Sequence, residues 1–261
     1  MRTLDTSPET SPVVPLVPAV PQQDAHRPSW PAVAGTDTGW RSLYRLGGSA
    51  ALFALALIPL AAAVYFLWPP PSTIAGHLTL LREQPLLGLL SLDLPMLLST
   101  IALLPVYLAL YAALRRVSPS FMMVALVLGL VSLTTYITTN PAFGLLTLSE
   151  PYATATTDAQ RQVVLGAGQA IYAISVGTAF DVSYVLAGVA ALVIGAVMLR
   201  RGGGIFGRAT AYAGLTMGAF GVVPATAGTV GLICAFVSLL PTIAWLALVA
   251  RDLWRLGSGT R

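Results

Sequence analysis

Two acidic side chains, Asp93 and Asp181, lie inside or at the edge of long apolar stretches of the sequence. A charged side chain at the centre of a bilayer costs about 2.5–3.5 kcal/mol or more, so such a carboxylate is by default a candidate functional group. Glu150 and Arg161 belong to a polar segment between two apolar stretches. These four side chains are the predicted contacts for a cation or another small solute: Asp93, Asp181, Glu150 and Arg161.

The depth of the two aspartates follows from their distance to arginines. Asp93 precedes Arg115 by 22 residues and Asp181 precedes Arg200 by 19, or about 33 Å and about 28 Å along a helix. If the arginines mark one face of a hydrocarbon core about 30 Å thick, both aspartates lie near the opposite, outer boundary. Burying a carboxylate costs little there.

The outer segments are acidic as a group, with five acids against Arg82 and Arg161, a net charge of −3. Such a surface would raise the local concentration of cations. The alternative is structural, with the acids serving as helix caps and local ion-pair partners of the two arginines.

Catalytic and metal chemistry have little support in the sequence. His26 and His77 are far apart, Cys234 is the only cysteine, and the chain has no lysine. We therefore predict no catalytic residue, no metal and no cofactor, and a protein that is not an enzyme. The alternative is a membrane-embedded enzyme acting on a lipid or isoprenoid, whose substrate would contact four polar side chains: Glu150, Asp158, Arg161 and Gln169.

The elements that position these residues are predicted to be membrane-spanning helices. The chain is 56% hydrophobic and 9% charged, with a mean hydropathy of +0.79. Soluble domains carry about a quarter charged residues. The expected fold is all-α, a polytopic bundle of six transmembrane helices with short interfacial helices on the outer side. The predicted spans are 46–68, 86–114, 121–139, 169–199, 209–228 and 230–250.

The arginines set the expected orientation. All 14 basic residues are arginines. The connections between the predicted spans alternate between the two sides of the membrane, and the connections on one side contain only Arg82 and Arg161. Cytoplasmic connections carry the excess of basic residues, so both termini are predicted to be cytoplasmic. The arginines come as isolated pairs at span ends, without the extended basic patch of a nucleic-acid-binding protein.

The two longer outer segments contain helix signals. Residues 73–84 are expected to form a short interfacial helix that ends at Pro85. Asn140-Pro141 should end the third span, and Ser149-Glu150-Pro151 resembles a helix start. A second start is a capping box at Thr157–Gln160. A helix running unbroken from residue 158 to residue 199 would be too long for a bilayer, so we expect a break near Gly177.

The first 40 residues are predicted to be a disordered, proline-rich cytoplasmic tail. Four of its prolines recur every third residue, which would place them on one edge of a polyproline II helix. The alternative is a docking strip for a proline-recognising cytoplasmic partner. The membrane domain then spans 41–256, and 257–261 form a C-terminal tail. The four prolines are Pro12, Pro15, Pro18 and Pro21.

The middle of the chain resembles the domain of unknown function 4386 family of bacterial membrane proteins. The resemblance lies in Asn140–Phe143, Leu148–Ala153, Thr157–Arg161, Gly177–Phe180, Val197–Arg200 and Phe206–Ala211, and the chain departs from it at Asp181 and at the glycines 202–204. It implies a six-helix fold in the bacterial inner membrane, with no established activity and no catalytic residues.

The expected function is that of a non-enzymatic multi-pass membrane protein whose main partner is the lipid bilayer. It would be a small-solute or cation transporter, or an accessory membrane subunit. The remaining alternative is a scaffold or sensor that recruits a partner through the proline-rich tail.

Overall fold

The computed structural model describes residues 38–200 and 205–259, and in these residues all regular structure is helical. The predicted proline strip and residues 1–37 of the predicted N-terminal tail lie outside the described residues, as do residues 260 and 261, whereas Gly257 and Ser258 of the predicted C-terminal tail belong to the last helix. A 3-10 turn, Thr38–Trp40, leads into the first helix. The α-helices are α1 Arg41–Leu67, α2 Ile74–Glu83, α3 Pro85–Ser91, α4 Leu94–Leu114, α5 Pro119–Thr139, α6 Ala142–Thr154, α7 Asp158–Ser175, α8 Thr178–Leu199, α9 Arg208–Gly221 and α10 Gly228–Ser258.

Five helical segments of the described chain are long and apolar enough to cross a membrane. The fifth predicted span, 209–228, is not one of them, because α9 has only 14 residues and is followed by turns. Length and composition therefore support five spans rather than the predicted six. The five are Arg41–Leu67, Leu94–Leu114, Pro119–Thr154, Asp158–Leu199 and Gly228–Ser258.

Six helices pack as a closed ring in chain order: α1, α4, α5, α8, α9, α10 and back to α1. Neighbours run antiparallel. Ser99 of α4 donates to the carbonyl of Ala54 in α1, whereas Gly47 lies against Ala109. The large hydrophobic core fills this ring.

Close approach of α8 and α9 depends on two glycines. A Cβ on Gly218 would lie 2.8 Å from the carbonyl oxygen of Gly188, too close for any side chain. Gly214, one turn earlier, faces the indole of Trp245 in α10. The Gly-xxx-Gly pattern of α9 thus serves packing within the chain.

The predicted span 86–114 is wrong as a single helix. It forms α3 and α4, which are separated at Leu92 and Asp93. The cause is Pro95, which has no N–H to donate and whose ring would clash with the carbonyl of Ser91 four residues earlier. Asp93 adopts a left-handed backbone, with φ of 66°.

The predicted span 169–199 is also two helices, and the break expected near Gly177 is confirmed. α7 ends at Ser175 and α8 begins at Thr178. The helix after the break is α8, Thr178–Leu199.

Three helices outside the ring, α2, α6 and α7, cover one end of it, and we call them the cap. The helix expected in 73–84 is confirmed as α2, with the Thr73 hydroxyl accepting from the Gly76 N–H. The capping box at Thr157–Gln160 is confirmed at the start of α7. A small second core joins these helices through Leu78, Leu81 and Leu145.

The helix start predicted at Ser149-Glu150-Pro151 is wrong. These residues lie inside α6, which begins at Ala142. The carboxamide of Asn140 accepts from the Ala142 N–H and starts the helix earlier. Asn140 also ends α5, as predicted.

Candidate functional site

Both helix breaks open onto one cavity of about 260 Å³ at the cap end of the ring. We call it the Asp93 cavity. Residues from six helices and from the two breaks line it, so the cavity is a product of the tertiary fold. Its polar lining residues are His77, Ser91, Asp93, Thr139, Asn140 and Ser175, and its aromatic ones are Tyr65, Tyr136, Tyr172 and Phe180.

Asp93 provides the only carboxylate among the lining residues. It occupies the N-cap position of α4, yet its side chain accepts no capping hydrogen bond. No ion pair with another described residue compensates its charge either. Burial raises the pKa of Asp93 above its ordinary value, whereas the positive end of the α4 dipole favours the ionised form. Asp93 is thus a carboxylate without a hydrogen-bond or ion-pair partner among the described residues.

His77 forms another part of the wall. It lies on the buried face of α2, only 5% exposed, and its Nδ1 has no hydrogen-bond partner. Its ring stacks on Tyr172 of α7, with centroids 6.1 Å apart and planes at 29°. Burial lowers the pKa of His77 below its ordinary value of 6.5, so the imidazole is neutral at pH 7.

Aromatic rings from separate helices form much of the remaining wall. Tyr136 of α5 and Phe180 of α8 have centroids 6.0 Å apart, and Phe180 lies 5.0 Å from Tyr184. Tyr65 of α1 completes the aromatic lining. Ring faces carry partial negative charge, which suits a cation better than an anion.

Asp181 does not line this cavity. It lies in the first turn of α8, where its carboxylate accepts a hydrogen bond from the Thr226 hydroxyl. A carboxylate in the first turn is also favoured by the helix dipole. Its interactions are those of a structural group, and the fold does not join the two aspartates in one cavity.

Glu150 and Arg161 are also outside the cavity. Glu150 of α6 pairs with Arg82 of α2, and both side chains are more than half exposed. An exposed pair of this kind contributes at most about 1 kcal/mol. Arg161 is exposed on α7, as are the two other side chains considered for a lipid substrate, Asp158 and Gln169.

Sequence reasoning identified Asp93 but missed His77 and the aromatic wall. From the sequence, His77 is considered only as a metal ligand, together with the distant His26. Its position beside Leu78 and one turn before Leu81, all three buried in α2, is a signal of an inward-facing side chain. The aromatic residues are spread over four helices and could not be grouped without the fold.

Metal binding has no further support in the structure. Within 38–200 and 205–259, no three His, Cys, Asp or Glu side chains come together as ligands. No protein-family model matches the chain, and no curated protein or solved structure matches it. The resemblance to the domain of unknown function 4386 family stays a prediction.

Proposed function

We propose that the chain crosses the membrane six times, with α9 and the turns after it as the fifth crossing. Two hydrogen bonds support this. Thr210, at the start of α9, donates to Asp252 near the end of α10, and Thr226, after α9, donates to Asp181 in the first turn of α8. Residues 210–226 therefore run between the two ends of the ring. A short helix followed by turns is tolerated at membrane depth where protein covers its backbone.

The proposed orientation follows from this count. Six crossings put both termini on one side, and the arginine excess makes that side the cytoplasm of a bacterial cell. The cap helices α2, α6 and α7 then lie at the outer surface of the inner membrane. The Asp93 cavity faces outward, on the side with the acidic charge balance.

The function we propose is the binding of a small cationic solute at the Asp93 cavity, in a transporter and not in an enzyme. One observation carries the proposal: Asp93 is an unpartnered carboxylate in a cavity. Asp181 and Glu150, by contrast, are occupied by Thr226 and Arg82. A carboxylate with no internal partner keeps its full capacity to bind a cation.

Cavities at breaks in membrane helices are also where transporters hold their substrates. Helix ends that meet there present uncompensated backbone groups to a solute. In this chain the C-terminal end of α7 contributes Ser175 and Val176 to the cavity. The negative end of that helix dipole adds to the attraction for a cation.

The test compares single neutralising substitutions of the three acids. Purified protein is reconstituted in liposomes, and uptake of ammonium, methylammonium and rubidium is measured together with stabilisation by the same ions. We expect Asp93→Asn to reduce binding of the active cation roughly tenfold to a hundredfold, because a charge-assisted contact is lost. Asp181→Asn and Glu150→Gln are the matched controls and should retain wild-type affinity. Equal effects of all three substitutions, or none from Asp93→Asn, would overturn the proposal.

A further inference from the structure

The Asp93 cavity also has a composition that selects among cations. This selectivity rests on the proposed function and concerns the substrate class of the same site. Its basis is the wall, in which four aromatic rings accompany a single carboxylate, while the side-chain oxygens of Ser91, Thr139, Asn140 and Ser175 already hydrogen-bond to the backbone.

Hard inorganic cations require several oxygen ligands at short distance. The cavity has one carboxylate, and no second acid lies in its lining. Tyr65, Tyr136, Tyr172 and Phe180 instead present ring surface from α1, α5, α7 and α8. An ammonium that carries alkyl groups is matched to such a wall, because its diffuse charge interacts with ring faces and its methyl groups need no hydrogen bonds.

The cavity size agrees with a small organic ligand. Its 260 Å³ exceeds the ~150 Å³ cavity known to hold benzene. It falls below the roughly 300 Å³ at which sites for drug-sized molecules begin. An alkylammonium of fewer than about ten heavy atoms fits between these limits.

His77 places a polar atom without a partner among the described residues in the wall of the cavity. A buried polar atom without a partner costs about 1–3 kcal/mol, and native proteins retain few of them. His77 is buried, lines the cavity and has no partner for Nδ1. Because the imidazole is neutral, it does not repel a cation.

We propose that the ligand of the Asp93 cavity is a small N-alkylated organic ammonium, held by the Asp93 carboxylate and by the faces of the surrounding aromatic rings.

Tetramethylammonium, choline and potassium are the probes for this proposal. Each is added at equal ionic strength to the full-length protein in detergent, and binding is followed by titration calorimetry and by the shift in unfolding temperature. The wild type should bind choline and tetramethylammonium at least tenfold more tightly than potassium.

Tyr136 provides the pair of variants that isolates the aromatic wall. Tyr136→Phe keeps the ring face and should retain choline binding. Tyr136→Leu keeps apolar bulk and loses the face, and should weaken choline binding roughly tenfold to thirtyfold. Equal unfolding temperatures of the two ligand-free variants establish that both are folded.

The outcomes separate this inference from the proposed function. Potassium binding that depends on Asp93, without choline binding, overturns the inference and leaves the cation site in place. Choline binding that is equal in Tyr136→Phe and Tyr136→Leu also overturns it. The absence of binding by any cation in the wild type overturns both.

Discussion

Asp93 has an unfavourable backbone conformation that its own contacts do not explain. A non-glycine residue in the left-handed region costs of order 1–3 kcal/mol, and such residues cluster at ligand-binding positions. Asp93 has φ of 66° and gains no capping hydrogen bond in return. The residue therefore opposes stability at the position where we place the ligand.

The first prediction follows from that conformation. Asp93→Gly should raise the unfolding free energy by about 1 kcal/mol, because glycine adopts positive φ without steric cost. The same substitution should abolish cation binding. Thermal unfolding in detergent measures the first effect and calorimetry the second.

Asp93→Ala is the control for the first prediction. It also removes the carboxylate, but alanine is disfavoured at positive φ. The expected stability order is glycine, then aspartate, then alanine. An alanine variant as stable as the glycine variant would show that the conformation at residue 93 costs nothing.

His77 gives a prediction about pH. Its pKa is lowered in the folded protein relative to the ordinary value of 6.5. As pH falls through about 6.5, the unfolded chain takes up a proton that folded His77 does not, so the unfolding free energy decreases. The groups near His77 are Tyr172, stacked on it, and Asp93 in the same cavity.

The measurement is the unfolding temperature between pH 7.5 and 5.5. The parent is His26→Ala, since His26 is the only other histidine. His77→Phe keeps an aromatic ring beside Tyr172 and should flatten the pH dependence. A parent and a His77→Phe variant that lose the same stability over this interval would exclude His77 as the responsible group.

At the scale of elements, the contact between α8 and α9 is sensitive to a single methyl group. Gly218→Ala should destabilise the protein by about 1–3 kcal/mol, because the new Cβ meets the Gly188 carbonyl and the backbone of Leu192. Chemical unfolding in mixed micelles measures the change.

Gly166 is the matched position in α7, where a new Cβ meets nothing within 4 Å. Gly166→Ala should stabilise by about 0.5–1 kcal/mol through helix propensity. If the two alanine variants changed stability in the same direction, α8 and α9 would not pack as closely as described.

Local signals predicted the elements well where nothing distant competed with them. Thr157–Gln160 begins α7 as its capping box requires, and Gly177 breaks the helix that would otherwise be too long. At Ser149-Glu150-Pro151 the same kind of signal failed, because Asn140 had already started the helix and Leu145 anchors it in the small core. The single helix predicted over 86–114 failed for another local reason, because Pro95 separates it into α3 and α4.

The candidate site was only partly predictable, for a related reason. A lone carboxylate in an apolar sequence stands out by its cost, and Asp93 was found that way. The sequence does not show whether an acidic side chain has a hydrogen-bond partner. Asp181 therefore gives the same sequence signal as Asp93, although the hydroxyl of Thr226, 45 residues later, donates a hydrogen bond to its carboxylate. The aromatic wall depends on which faces of four helices meet.

The two ends of the whole molecule differ in chemistry. At one end, arginines hold the helix ends together: Arg115 lies 4.7 Å above the ring of Trp40, and Arg200 lies 4.7 Å above Phe121. At the other end the helices are interrupted and capped, and the acidic cavity opens there. The proposed solute would therefore enter from the end at which the helices are interrupted, where the Asp93 cavity lies.

The number of crossings decides whether this asymmetry corresponds to the two sides of a membrane. With six crossings, residues near both termini share the cytoplasm, and the turns before α10 are outside. With five, the end of α10 would be outside. Cysteine accessibility distinguishes these arrangements. Cys234, the only cysteine, is replaced by serine, and each of four variants then carries one new thiol at an exposed position.

In a Cys234→Ser background, intact cells are treated with a membrane-impermeant maleimide. Thr156→Cys and Thr229→Cys should react, whereas Ser42→Cys and Ser258→Cys should react only after the cells are permeabilised. The last two lie at the ends of α1 and α10 where the arginines concentrate, and the proposed orientation, based on the positive-inside bias, puts them in the cytoplasm. Labelling of Ser258→Cys in intact cells, with Ser42→Cys protected, would establish five crossings and place α9 on the cytoplasmic side.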